Sequence, residues 1–170
     1  GALRDMVQNH LLQLVALIAM EEPRSLEAED IRREKQMVLQ ALQKPQVEDI
    51  GGGQYTEGAL EGKPVPAYQS EPAVEQHTPT ETFVALKSII NTARWKGVPF
   101  YVRTGKRLQE PFSEVNLVLK DRSCKLFRSS NNGRGHNVIT IRMKPDEGLL
   151  VTLNVKEPGA GLSIHSSTLP

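Results

Sequence analysis

The 170-residue chain has 38% hydrophobic and 24% charged residues, the balance of one folded domain with a substantial core. A net charge of +1 and 5% aromatic residues exclude a nucleic-acid surface or a base-stacking platform as the natural role. A single cysteine, Cys124, excludes an internal disulfide and a thiolate metal cluster, and fits a reducing compartment such as the cytoplasm.

From Leu3 to Met20 the apolar residues Leu3, Val7, Leu11, Leu14, Val15 and Ile18 recur at helical spacing, which predicts a buried face. Further apolar residues around the helix predict packing on several sides. His10 falls on the buried side, where an imidazole needs an interior partner or a cleft. A lone histidine in that position is usually a core residue bonded to backbone, and that reading stands beside a functional one. Asp5 and His10 are about 140° apart on an ideal α-helix, so they line one pocket only if the first turn is frayed or a ligand wraps the helix end. The segment from Leu11 to Met20 is too short to span a bilayer, and no signal peptide precedes it. Because the chain opens almost on this helix, it reads as a fragment.

Glu21-Glu22-Pro23 ends the first helix, and Ser25 is placed to cap a second running to about Leu42. Its stripe is Ile31, Val38 and Leu42, and Glu29 and Arg33 are spaced as an i,i+4 pair. The run Ile50-Gly51-Gly52-Gly53 lacks the context of a nucleotide loop. Residues 56–80, rich in Pro, Gly, Glu and Gln, predict a long surface excursion. Glu81 to Ile90 reads as a strand with an exposed break at Lys87 and Ser88, and Pro99 as the start of a strand or an edge.

Alternation predicts further strands at Val115–Leu119, Ile139–Met143 and Leu149–Val155, with Thr140, Arg142 and Lys144 on the face opposite Ile139, Ile141 and Met143. Asn131 to Gly135 and Pro145 to Gly148 supply turns. Pro158-Gly159-Ala160-Gly161 closes the run, and residues up to Pro170 again look strand-like. The expected fold is a single α+β domain over residues 1–170, an antiparallel meander with helices packed on one face. His77, His136 and His165 have no ligand spacing, so no metal site is expected.

Three stretches then carry a resemblance: Arg4-Asp5-Met6-Val7-Gln8-Asn9-His10-Leu11-Leu12-Gln13, the run from Gly97 through Val98-Pro99-Phe100-Tyr101-Val102-Arg103-Thr104-Gly105-Lys106 to Arg107, and Ile141-Arg142-Met143-Lys144-Pro145-Asp146-Glu147-Gly148. In order and spacing the chain resembles the carboxy-terminal domain of the glucose-6-phosphate dehydrogenases. The resemblance implies oxidation of glucose 6-phosphate at C1, with NADP as hydride acceptor, in the pentose phosphate pathway. It makes His10 the general base and Asp5 an acceptor for sugar hydroxyls, and it brings Lys106 to the substrate. It places Lys144 beside the substrate and Arg142 by a cofactor. It also implies a homodimer or tetramer assembled through the sheet, with no nucleic acid or membrane partner.

The sequence departs from the family where many members carry a further basic residue after the lysine. Here Gln109-Glu110-Pro111-Phe112 follows, and Arg107 is the candidate substitute for substrate binding. The family's amino-terminal dinucleotide-binding domain and its R-I-D-H-Y-L-G-K stretch do not occur in the chain. The expectation is therefore that this chain alone is inactive. The alternative is a non-catalytic module for sugar-phosphate binding or oligomerisation.

Overall fold

The computed structural model describes residues 1–120, 135–159, 161 and 163–170. They form two compact units, Gly1–Leu108 and Gln109–Pro170. The fold is α+β, as expected, but its antiparallel strands are divided over three sheets.

In the first unit the leading helix is not α-helical throughout. Leu3–Leu11 is a π-helix, and it continues as α1, Leu12–Ala19. The Leu12 N–H donates to the Val7 carbonyl five residues back, so residues five apart stack along the helix. Burial follows that spacing: Ala2 and Val7 are buried with Val84, and Leu12 packs against the same cluster. The predicted stripe loses Leu3, which is 44% exposed, because the wider turn rotates it away. Met6 and Leu17 are exposed as well, so the described residues cover the helix on one side.

Helix α2 spans Ala28–Ala41. Ser25 Oγ accepts the Glu27 N–H at 3.1 Å and donates to Asp30 at 2.7 Å. Arg33 pairs with Asp30 at 2.9 Å, one residue nearer than the expected partner Glu29, and Val38 is the buried residue of the stripe. The glycine run is strand β1, Ile50–Gly53. Within the long excursion, β2 (Gly58–Leu60) and β3 (Lys63–Val65) form a hairpin. Its two turn residues, Glu61 and Gly62, both have positive φ, as the tight turn between twisted strands requires.

Strand β4, Phe83–Ile89, sits between β1 and β5, Pro99–Gly105. Pro99 opens an edge strand, where its missing N–H disrupts no ladder. The exposed break expected at Lys87 and Ser88 is absent. Ser88 is buried with Oγ donating to the Gln43 carbonyl at 2.9 Å, and Lys87 lies 3.5 Å from Asp49, so both side chains are satisfied within the strand. A second cluster joins Ala16, Ala19, Val38 and Ile90, flanked by Trp95 and Phe100. Trp95 stacks edge-on against Phe100 at 5.1 Å, and its indole N–H donates to the Ala19 carbonyl at 2.9 Å.

The described residues of the second unit form a four-stranded meander in chain order: β6 Ser113–Val118, β7 Val138–Lys144, β8 Gly148–Lys156 and β9 Ile164–Leu169. The β7–β8 pairing closes at Arg142 and Gly148, on the predicted turn. The run expected to close the meander leads instead into β9, which pairs with β8 from Val151 to Lys156. Most of the turn predicted from Asn131 lies outside the described residues. All fully buried side chains among the described residues belong to the first unit. No helix among them is long and apolar enough to cross a membrane.

Candidate functional site

The π-helix changes the relation between Asp5 and His10. An α-helix would separate them by more than a third of a turn, but an i→i+5 ladder brings them to the same side of the helix. Ala2 and Val7 use the same five-residue step to face the core, and Asp5 and His10 use it on the solvent side. His10 is exposed, contrary to the expected interior position, because the widened turn moves the buried stripe onto Ala2, Val7 and Leu12. It makes no hydrogen bond or ion pair among the described residues, which leaves the imidazole open to solvent and ligands. Asp5 is also exposed, its carboxylate 3.2 Å from the Gly1 amine.

Lys106 follows the last residue of β5. Its backbone N–H donates to the Thr82 carbonyl at 2.9 Å, and the residue is exposed. Gly105, just before it, faces Phe83 across the sheet. A Cβ there would lie 2.8 Å from the Phe83 ring and 3.2 Å from Leu108, so glycine is what lets the strand end pass this close.

Arg107 is engaged elsewhere in the first unit. It adopts a left-handed φ of 57°, pairs with Glu71, lies 4.7 Å over the Tyr55 ring and reaches the Pro66 carbonyl at 3.4 Å. Tyr55 donates its hydroxyl to Glu71 at 3.3 Å and meets Tyr68 edge-on at 5.5 Å. Desolvation raises the Tyr55 phenol above its ordinary range, opposed by the Arg107 charge. The cluster pins the long excursion beside the end of β5.

Two residues that the sequence reading passed over touch both site-bearing segments. Glu81 accepts the Ala2 N–H on its carbonyl at 3.0 Å and the Leu3 N–H on Oε1 at 2.8 Å. That Leu3 bond is the leading reason its carboxyl is held below the usual glutamate range. Thr82, 3% exposed, donates its N–H to Gly53, accepts the Tyr55 N–H on Oγ1 at 3.0 Å and gives its carbonyl to Lys106. The only local signal was a polar pair opening an apolar strand.

In the second unit, Arg142 and Lys144 project from β7. Arg142 shares a polar face with Glu114, 3.9 Å away. That face continues through Asn116, which donates to Glu114 at 2.7 Å, to Thr140, which donates to Asn116 at 2.6 Å. The Arg142 Nε is buried without a partner among the described residues, and Lys144 is exposed.

The first unit thus carries an exposed imidazole, an exposed carboxylate five residues before it on the same helix and an exposed lysine after a strand end, none of the three side chains bonded to another side chain among the described residues. Comparison with known proteins gives these side chains a context. A family model described as "Glucose-6-phosphate dehydrogenase, C-terminal domain" matches residues 1–170. The glucose-6-phosphate 1-dehydrogenase of Bacillus subtilis (strain 168) is 47% identical over 163 residues, covering 94% of this chain and 33% of its own length. The chloroplastic glucose-6-phosphate 1-dehydrogenase 1 of Arabidopsis thaliana is 42% identical, covering 99% of this chain and 30% of its own. A solved glucose-6-phosphate dehydrogenase in complex with its substrate glucose 6-phosphate superposes with a TM-score of 0.88 at 33% identity, over 99% of this chain and 34% of that one. The Mycobacterium avium enzyme superposes with a TM-score of 0.79 at 36% identity, again over 99% of this chain and 34% of its own. The chain thus spans about a third of the length of the relatives it matches.

Proposed function

The chain belongs to the glucose-6-phosphate dehydrogenase family as its C-terminal domain, and we propose on that footing that it supplies the base and the sugar-holding side chains of an enzyme oxidising glucose 6-phosphate at C1. The product is the 6-phosphoglucono-lactone, and NADP is the hydride acceptor. The observation that carries this reading is that Asp5 and His10 are both exposed on one π-helix, in a chain that superposes on a relative solved with glucose 6-phosphate.

In this reading the C1 hydroxyl gives its proton to an imidazole nitrogen of His10 as the C1 hydrogen leaves with its electron pair, and the C1–O bond becomes the lactone carbonyl. Imidazole suits the task because it accepts a proton near neutral pH. Asp5 accepts hydrogen bonds from sugar hydroxyls, and Lys106 donates to the substrate through its ammonium. Bound NADP would supply the hydride acceptor. Arg142, whose partly exposed guanidinium lies 3.9 Å from Glu114, and the exposed Lys144 are cations of β7 that would suit a phosphate-bearing cofactor or substrate. For Arg107, contact with substrate requires the guanidinium to give up Glu71, so the geometry favours a loop-holding task over the substrate contact expected from sequence.

We place the protein in a reducing compartment, the cytoplasm, on its single cysteine. We also infer a homodimer or tetramer through the meander, supported by Val118, Leu149 and Leu169, each more than half exposed on its strands.

The test is glucose-6-phosphate-dependent formation of reduced nicotinamide by the full-length protein and by its His10→Ala variant. We expect kcat to fall by roughly 10²-fold or more with binding of the sugar phosphate retained. Equal turnover by the variant overturns the assignment of the base. The 170-residue chain on its own is expected to show no turnover. If the full-length protein binds the sugar phosphate or assembles but does not turn it over, the non-catalytic reading holds instead.

A further inference from the structure

We propose that Glu81 and Thr82 are positioning residues of this site, a two-residue bridge that sets the helix carrying Asp5 and His10 against the strand end carrying Lys106. The inference rests on the functional reading above. Neither side chain bonds the side chain of His10 or Lys106, so both act through the backbone of the segments they hold.

The bridge is built from five hydrogen bonds that leave two adjacent residues toward different segments. On one side Glu81 accepts the Ala2 N–H on its carbonyl at 3.0 Å and the Leu3 N–H on its carboxylate at 2.8 Å. A carboxylate is a strong acceptor for a backbone N–H. On the other side the Thr82 carbonyl takes the Lys106 N–H at 2.9 Å. Thr82 is itself fixed, through its own N–H to Gly53 and through its hydroxyl from the Tyr55 N–H. Tyr55 in turn underlies the Arg107 guanidinium, so the residues on both sides of the Lys106–Arg107 bond are anchored. Helix and strand end are 95 or more residues apart in sequence at His10 and Lys106, yet one peptide unit separates their two anchors.

The anchor to the helix is made through an acceptor oxygen of Glu81. Glu81→Gln keeps that oxygen and Glu81→Ala removes it. In the full-length protein we expect Glu81→Ala to speed amide hydrogen exchange across residues 2–11 and to lower kcat about tenfold, because misplacing a base by a fraction of an ångström costs rate. Glu81→Gln is expected to restore both. Thr82→Val, which keeps the shape and loses the hydroxyl, is expected to raise the KM for glucose 6-phosphate severalfold with kcat retained, because it loosens the Lys106 end and not the His10 end. Unchanged exchange and unchanged kcat in Glu81→Ala overturn the proposal, as does a Thr82→Val variant whose kcat falls and whose KM does not move. A His10→Ala variant with full turnover sinks the functional reading alone, and the exchange measurement still decides whether Glu81 anchors the helix.

Discussion

Arg107→Ala separates the two tasks that can be assigned to this guanidinium. In the structure it pairs with Glu71, with the two side chains 29% and 20% exposed, and lies 4.7 Å over Tyr55. A partly desolvated pair of this kind contributes about 1 kcal/mol, and stacking of a cation on an aromatic ring about 0.5–1 kcal/mol. The Pro66 contact at 3.4 Å adds little. Loss of the side chain is therefore expected to cost about 1.5–2 kcal/mol. The backbone supplies an internal control, since φ is 57° at Arg107 and alanine keeps that strain while glycine relieves roughly 1 kcal/mol of it. Arg107→Gly should thus be the more stable variant. Urea unfolding of the chain followed by the fluorescence of Trp95, its single tryptophan and part of the first unit's core, measures both. A double-mutant cycle with Glu71→Ala should give a coupling of about 1 kcal/mol. Coupling within about 0.3 kcal/mol of zero, or a glycine variant no more stable than the alanine one, refutes this account of the cluster.

The remaining predictions concern the segments that flank the site. Because the Glu81 carboxyl is held below its unfolded range, its contribution to stability is present above about pH 4.3 and is lost as pH falls through the lowered value. Acid unfolding of Glu81→Gln should accordingly begin from a lower stability at neutral pH but show a shallower decline below pH 4.3, and parallel curves would disprove the linkage. Gly105→Ala forces a methyl to within 2.8 Å of the Phe83 ring, so we expect a loss of about 1–3 kcal/mol and a raised KM for glucose 6-phosphate through the adjacent Lys106. Unfolding midpoints and steady-state kinetics together check it, and a neutral variant in both would show that Phe83 yields freely.

Much of the fold was legible because its signals are short-ranged. Period-two alternation placed β7 and β8, Pro99 marked an edge strand, and the turn from Pro145 closed the pairing of Arg142 with Gly148. The exposed break expected at Lys87 and Ser88 failed for a nonlocal reason: the polar side chains find Asp49 and the Gln43 carbonyl. The candidate site was legible as residue types and spacing, and Asp5, His10 and Lys106 all sit in the first unit. Their arrangement was not, since an ideal α-helix keeps Asp5 and His10 apart.

By itself, then, the sequence determined the α+β class, most of the strands, and the motifs that mark the family, because periodicity and turn chemistry are properties of neighbouring residues. Tertiary structure decided the rest. The π-winding that brings Asp5 and His10 to the same side of the helix shows in a buried stripe at five-residue spacing, which exists only once Ala2, Val7 and Val84 have met. The Leu3–Glu81 bond joins positions 78 residues apart, and Arg107 meets Glu71 and Tyr55 from across a long excursion. Such partners are chosen by the packing of distant segments, and no local pattern in the chain encodes them.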